Sequence, residues 1–211
     1  ATGGTTTLRV RIAEDDEPRL VSHRQSLSGT HVNCAGGVTP WGSWLTCEET
    51  TQGEAAGYAR PHGYVFEVPA TADGRVMRPE PIRAMGRFIH EAVAIDPATG
   101  WAYLTEDAGT AGFYRFIPSA PGRLLEGGRL QMLGVRGAPH YLTPTGQRVG
   151  RRLPVVWIDI EDPDPADAER HPLAVFAEGY GGGGALYIVL RRQKSGKSQP
   201  GNAIASRKNG L

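Results

Sequence analysis

Apolar residues in this chain fall on alternate positions in short runs, and each run is closed by glycine, proline or a polar cluster. Leu8, Val10 and Ile12 face one way in the first such run, which reads as a strand that begins inside a domain; an acidic turn follows at residues 14–18. Val32 and the Trp44-Leu45-Thr46 run predict two short strands around a rigid Thr39-Pro40-Trp41-Gly42 turn, and residues 50–61 form a polar loop. The sequence Gly63-Tyr64-Val65-Phe66-Glu67-Val68-Pro69 predicts a strand ended by its own proline and by the Asp73-Gly74 turn. Residues 92–96, 101–105 and 112–118 then alternate with turns at residues 97–100 and around Gly109, which predicts a three-strand meander. Residues 130–135 and 155–160 read as further strands, residues 161–172 as an acidic, proline-rich loop with one helical turn near residues 165–170, and residues 185–190 as a last strand. A strand and turn about every ten residues excludes helical hairpins and fits an antiparallel sheet. The pattern is all-β, and no segment of fixed length repeats.

Composition agrees. With 39% hydrophobic residues the 211-residue chain can bury one core, and 29 glycines and 16 prolines supply many turns. No apolar run reaches the roughly 18 residues of a membrane-spanning helix, and the N-terminus lacks the charged-then-apolar pattern of a signal peptide. The net charge of +1 is unevenly spread: 17 arginines stand against 22 acids up to Leu190, and six basic groups with no acid fill the last 21 residues. A basic tail is one footprint of nucleic-acid or membrane binding. Here lysine appears only after 193 residues without one, at Lys194, Lys197 and Lys208, which reads as a change of sequence origin. The expected organisation is a folded domain over residues 1–190 and a non-native or disordered tail over 191–211, with no nucleic-acid partner and no membrane span.

Chemistry is concentrated in Asn33-Cys34-Ala35-Gly36-Gly37-Val38-Thr39-Pro40-Trp41-Gly42-Ser43-Trp44-Leu45-Thr46-Cys47-Glu48-Glu49. Gly36, Gly37 and Gly42 remove side chains where backbone must approach or turn, Pro40 fixes the turn, and Trp41 and Trp44 add apolar mass. Read by residue type, Cys34 is a metal-ligating thiolate, a free thiol, or one half of a disulfide with Cys47. Glu48 and Glu49 point to opposite faces if the strand continues, so one of them reaches any shared site. Glu91, beside His90 at the start of an apolar strand, must lie at the strand mouth or be paired. Glu106 and Asp107 end the next strand with hard oxygens of the kind calcium takes. The chain has no Gly-x-Ser-x-Gly elbow, no Walker loop and no Cys-x-x-Cys pair, which leaves a serine-nucleophile route without support.

The stretch from Asn33 to Glu49 closely resembles the signature of the PhoX-like alkaline phosphatases, secreted bacterial phosphomonoesterases that carry iron and calcium on a β-propeller. A second block resembles the same family: Gly86-Arg87-Phe88-Ile89-His90-Glu91-Ala92-Val93-Ala94-Ile95-Asp96, then Thr99-Gly100, Tyr103-Leu104-Thr105-Glu106-Asp107 and Phe113-Tyr114-Arg115-Phe116. The blocks keep the family's order, and the resemblance runs from about Thr30 to Tyr180. It implies part of a β-propeller built from short antiparallel meander blades, and hydrolysis of small-molecule phosphate monoesters by Fe3+ and Ca2+ in the periplasm or outside the cell. It further implies Cys34 as an iron ligand and Cys47 as a packing residue; Glu49, with Glu48 second to it, and Glu91 as metal ligands; Asp107 and the Asn33 carbonyl as calcium ligands. Glu91 is also expected in the catalytic centre, with Arg87 as a phosphate clamp and His90 beside the ligands. The family draws a further carboxylate and arginine from a downstream blade, which implies a partial site within these residues. Two rivals share the fold: a calcium-dependent propeller esterase or lactonase, and a non-catalytic propeller stabilised by calcium.

Overall fold

The computed structural model of the chain describes residues 3–12, 17–71, 74–109, 111–138, 141 and 146–168. Among these residues the regular elements are ten strands and three single 3-10 turns, and no helix is long and apolar enough to cross a membrane. The strands are β1 (Gly3–Arg11), β2 (Arg19–Thr30), β3 (Asn33–Val38), β4 (Ser43–Glu48), β5 (Val65–Pro69), β6 (His90–Ile95), β7 (Ala102–Glu106), β8 (Phe113–Pro118), β9 (Gly128–Val135) and β10 (Val155–Asp159). They form a ribbon β1-β2, a three-stranded sheet β3-β4-β5 and a five-stranded sheet β10-β9-β8-β7-β6, with every neighbouring pair antiparallel.

The two larger sheets are up-and-down meanders, the unit from which propeller blades are made, and the described strands do not close a ring. Strand alternation decides their faces. On β7 and β8, Ala102, Leu104, Tyr114 and Phe116 are fully buried while Tyr103, Thr105, Phe113 and Arg115 are half-buried. The buried set joins Leu130 and Met132 of β9, Leu45 and Cys47 of β4, Val65 of β5 and Val93 of β6 in one core between the sheets. Each Val, Leu, Phe or Met side chain in this set contributes roughly 1.5–3 kcal/mol on leaving water. The β6–β7 turn is set by Asp96, whose carboxylate accepts from the Ala98 N–H and the Thr99 hydroxyl, and by Gly100 at φ 73°.

Several expectations change. The three-strand meander is five strands wide, because β9 and β10 continue it. The expected strand at residues 8–12 is part of the longer β1, but Leu8 (59% exposed) and Val10 face solvent. Its partner β2 was not anticipated: Arg19–Thr30 is mostly polar, and pairing with β1 through three register shifts makes it a strand. The helical turn expected near residue 165 is a turn closed by the Ala168 N–H on the Pro165 carbonyl. The last expected strand, at residues 185–190, and the tail over 191–211 lie outside the described residues.

Candidate metal centre

Two bulges aim the side chains that matter. Along β3–β4 the register runs from Asn33↔Glu48 to Gly36↔Thr46, so β3 carries one residue more than its partner in the stretch that holds Cys34. Along β6–β7 it runs from His90↔Glu106 to Ala92↔Thr105, and the extra residue is Glu91. A bulge turns a side chain off the regular alternation and interrupts the ladder locally. Glu49 directly follows β4, with its N–H on the Val32 carbonyl at 2.9 Å. Val32 is held at φ 45°, costly for a β-branched residue and tolerated where its surroundings fix it. As a result the Cys34 thiol sulfur and one carboxylate oxygen each from Glu49 and Glu91 lie within 4.8 Å of one another, all on half-buried residues.

The glycines make this approach possible. A Cβ at Gly36 would stand 1.8 Å from the Leu45 carbonyl oxygen, and one at Gly37 would stand 2.0 Å from the Val93 carbonyl oxygen of β6. Gly37 therefore lets β3 lie against β6, which brings Cys34 to Glu91. The 39–42 turn is locked by the Thr39 hydroxyl, within 2.7 Å of the Ser43 hydroxyl, and by the Trp41 indole N–H donating to Glu67 at 2.6 Å.

The electrostatics call for a cation. Burial pushes the Cys34 thiol above its usual range; a backbone hydrogen bond at Ala35 opposes it, and smaller influences of the Glu49 and Glu91 carboxylates add to the rise. One oxygen of Glu91, Oε2, is buried without a hydrogen-bond partner, a costly state that a bound cation relieves. A thiolate with two carboxylates suits a metal that accepts both sulfur and oxygen. Cys47 is fully buried, its thiol also raised chiefly by burial, and both cysteines are free, which removes the disulfide alternative.

The remaining expected residues lie elsewhere. Glu48 points into the protein, completely buried. Its Oε1 accepts from the His31 N–H and lies 2.8 Å from His62 Nδ1, and its Oε2 accepts from the Gly63 and Tyr64 N–H groups. Its oxygens are thus taken by protein donors, and it is not one of the converging ligands. Asn33 is likewise engaged: its side-chain oxygen accepts from the Thr30 hydroxyl at 2.6 Å, and its amide donates to the Thr46 hydroxyl. Asp107 is exposed and outside the group, its N–H on the Ile89 carbonyl. Arg87, the expected phosphate clamp, is 4% exposed, and its guanidinium donates to the His62 and Thr51 carbonyls and so braces those loops.

His90 is fully buried, its ring tilted 31° against Phe88 with centroids 3.6 Å apart, with Nε2 donating to the Gly86 carbonyl and Nδ1 unpartnered. Burial holds it neutral, its pKa lowered to about 3. Glu106 accepts from the Gly112 N–H and the Tyr114 hydroxyl, and burial raises its pKa to about 7. His62 is the participant that sequence reading missed, and its only signal there is a histidine next to Gly63 in a polar loop.

A family profile described as "Alkaline phosphatase PhoX" matches residues 5–208. Among solved structures, "Pseudomonas fluorescens PhoX in complex with vanadate, a transition state analogue" aligns at 22% identity with a TM-score of 0.44. The match covers 74% of this chain and 35% of that one. No curated protein matches.

Proposed function

The chain belongs to the alkaline phosphatase PhoX family, and from that premise we propose that Cys34, Glu49 and Glu91 hold iron, with calcium alongside, in a centre that hydrolyses phosphate monoesters. The observation that carries this reading is the convergence of one thiol and two carboxylates within 4.8 Å, one of whose oxygens is buried and unpartnered. When bound there, the metal supplies charge stabilisation for a phosphate dianion and an activated oxygen nucleophile.

The chain's own residues prepare the place. Gly36 and Gly37 let the strands close up, the two bulges aim Cys34 and Glu91, and the body around them keeps the sulfur half out of water. Cys34 has to give up its proton to bind, so metal uptake releases one proton at Sγ. The calcium-only hydrolase and the binding propeller have no use for a thiol where two carboxylates meet. By family, the place of action is the periplasm or the outside of the cell, and the substrates are small phosphate esters.

The test is hydrolysis of p-nitrophenyl phosphate by the chain supplied with iron and calcium, beside Cys34→Ser. Loss of a ligand is expected to lower the rate by more than the roughly 100-fold cost of disturbing an outer partner of a metal site. Equal rates in the two proteins would contradict the reading.

A further inference from the structure

Glu48 is conspicuous for what surrounds it. Both of its oxygens are saturated inside the protein: the N–H groups of His31, Gly63 and Tyr64 and the Nδ1 of His62 all lie within 3.1 Å, and no part of the residue reaches solvent. A carboxylate taken this far from water persists only when its lone pairs are matched by donors. Three of the four donors are backbone groups from two separate segments, so the side chain ties the entry to β3 and the loop before β5 to the end of β4. Its backbone N–H also bonds the Tyr64 carbonyl at 3.0 Å. The loop is braced in turn by Arg87, whose Nε donates to the His62 carbonyl at 2.9 Å.

The position of this clamp gives it a role. Glu48 pairs across the strands with Asn33, the residue before Cys34, and is itself the residue before Glu49. Two of the three converging side chains therefore project from backbone that Glu48 holds. We propose that Glu48, held by His62, is the positioning residue of the centre: it supplies no ligand atom but fixes the backbone from which Cys34 and Glu49 reach the metal. The assignment rests on the metal centre proposed above and extends it to a buried carboxylate–histidine pair behind the ligands. Such outer partners set ligand orientation, and disturbing one weakens metal binding about 10–100-fold.

Cobalt(II) titration of the intact chain provides the test, because a thiolate bound to cobalt gives a charge-transfer band that reports Cys34. Glu48→Gln is expected to bind cobalt about 10–100-fold more weakly than the parent, with the parental band at saturation, since no ligand has been removed. Glu49→Gln, which loses a ligand, is expected to alter the band itself. His62 supplies a check that does not depend on Glu48→Gln folding: His62→Phe removes the side-chain donor and weakens binding, and His62→Asn, which restores an N–H near the Nδ1 position, recovers it.

Parental affinity in Glu48→Gln, or equal weakening in both His62 variants, would overturn the positioning role. A saturated Glu48→Gln spectrum matching that of Glu49→Gln would overturn it too, by making Glu48 a ligand. A parent that shows no thiolate band would instead sink the metal centre, and this role with it.

Discussion

Glu48 and Glu49 show how far residue type carries and where it stops. Both are glutamates at one strand end, and sequence alone predicts only that they face opposite ways. Which one turns inward, leaving the other to converge with Cys34 and Glu91, is decided by donors from residues 31 and 62–64, remote along the chain and unmarked by any motif. Cys34, Glu49 and Glu91 could be singled out in the sequence because family words surround them, and what the structure adds is that the three converge. Asn33 and Asp107 stand outside the converging group, and for Asn33 a side chain that closes a hydrogen bond beside a strand looks the same in a sequence as one that binds calcium. Glu106 makes a prediction at this scale. Burial raises its carboxyl from 4.5 to about 7, so between those values the folded chain holds a proton that the unfolded chain has released. The stability this contributes is complete below about pH 4.5 and is lost as pH rises through about 7, a fall on the order of 3 kcal/mol. Glu106→Gln can still accept from Gly112 and Tyr114 and cannot ionise. Thermal melting from pH 4.5 to 8 is expected to show a flatter pH dependence in the variant than in the parent; parallel curves would contradict the assignment.

At the scale of elements, the legible part was the regular alternation. Residues 92–118 announced β6, β7 and β8 because each strand buries one face and ends in a turn signal. Hidden were the departures from alternation, namely the bulges at Cys34 and Glu91 and the polar strand β2. A bulge is a property of two strands in register, and either strand read alone gives no sign of it. The close contact of β3 with β6 is equally a two-element property, though Gly36-Gly37 marks where it occurs. Gly37→Ala places a methyl group 2.0 Å from the Val93 carbonyl oxygen, which flexible side-chain motion cannot relieve. The variant is expected to lose about 3 kcal/mol of stability through overpacking and to bind metal more weakly, as Glu91 is pushed from Cys34. Chemical denaturation and metal titration check the two effects together, and an unchanged denaturation midpoint would show that β3 and β6 are not in contact there.

Across the whole molecule, the candidate centre lies where two meanders meet. Cys34 and Glu49 belong to the three-stranded sheet and Glu91 to the five-stranded one, so a bound cation would join the sheets and stabilise the fold by mass action. The ribbon of β1 and β2 leaves Leu8, Val10 and Leu20 exposed, and it is anchored through Leu27, which bridges Met77 and is buried against Tyr64, Phe66 and Val68. The all-β class was legible from patterning, whereas the arrangement of sheets around the centre required the fold. The most direct test of the account is the iron and calcium content of the purified chain after exhaustive dialysis, measured beside Cys34→Ser. Iron retained by the parent and lost from the variant is the expected result. Calcium alone, or iron retained equally by both proteins, would show that Cys34 is not a metal ligand and would contradict the centre on which the proposed phosphatase function rests.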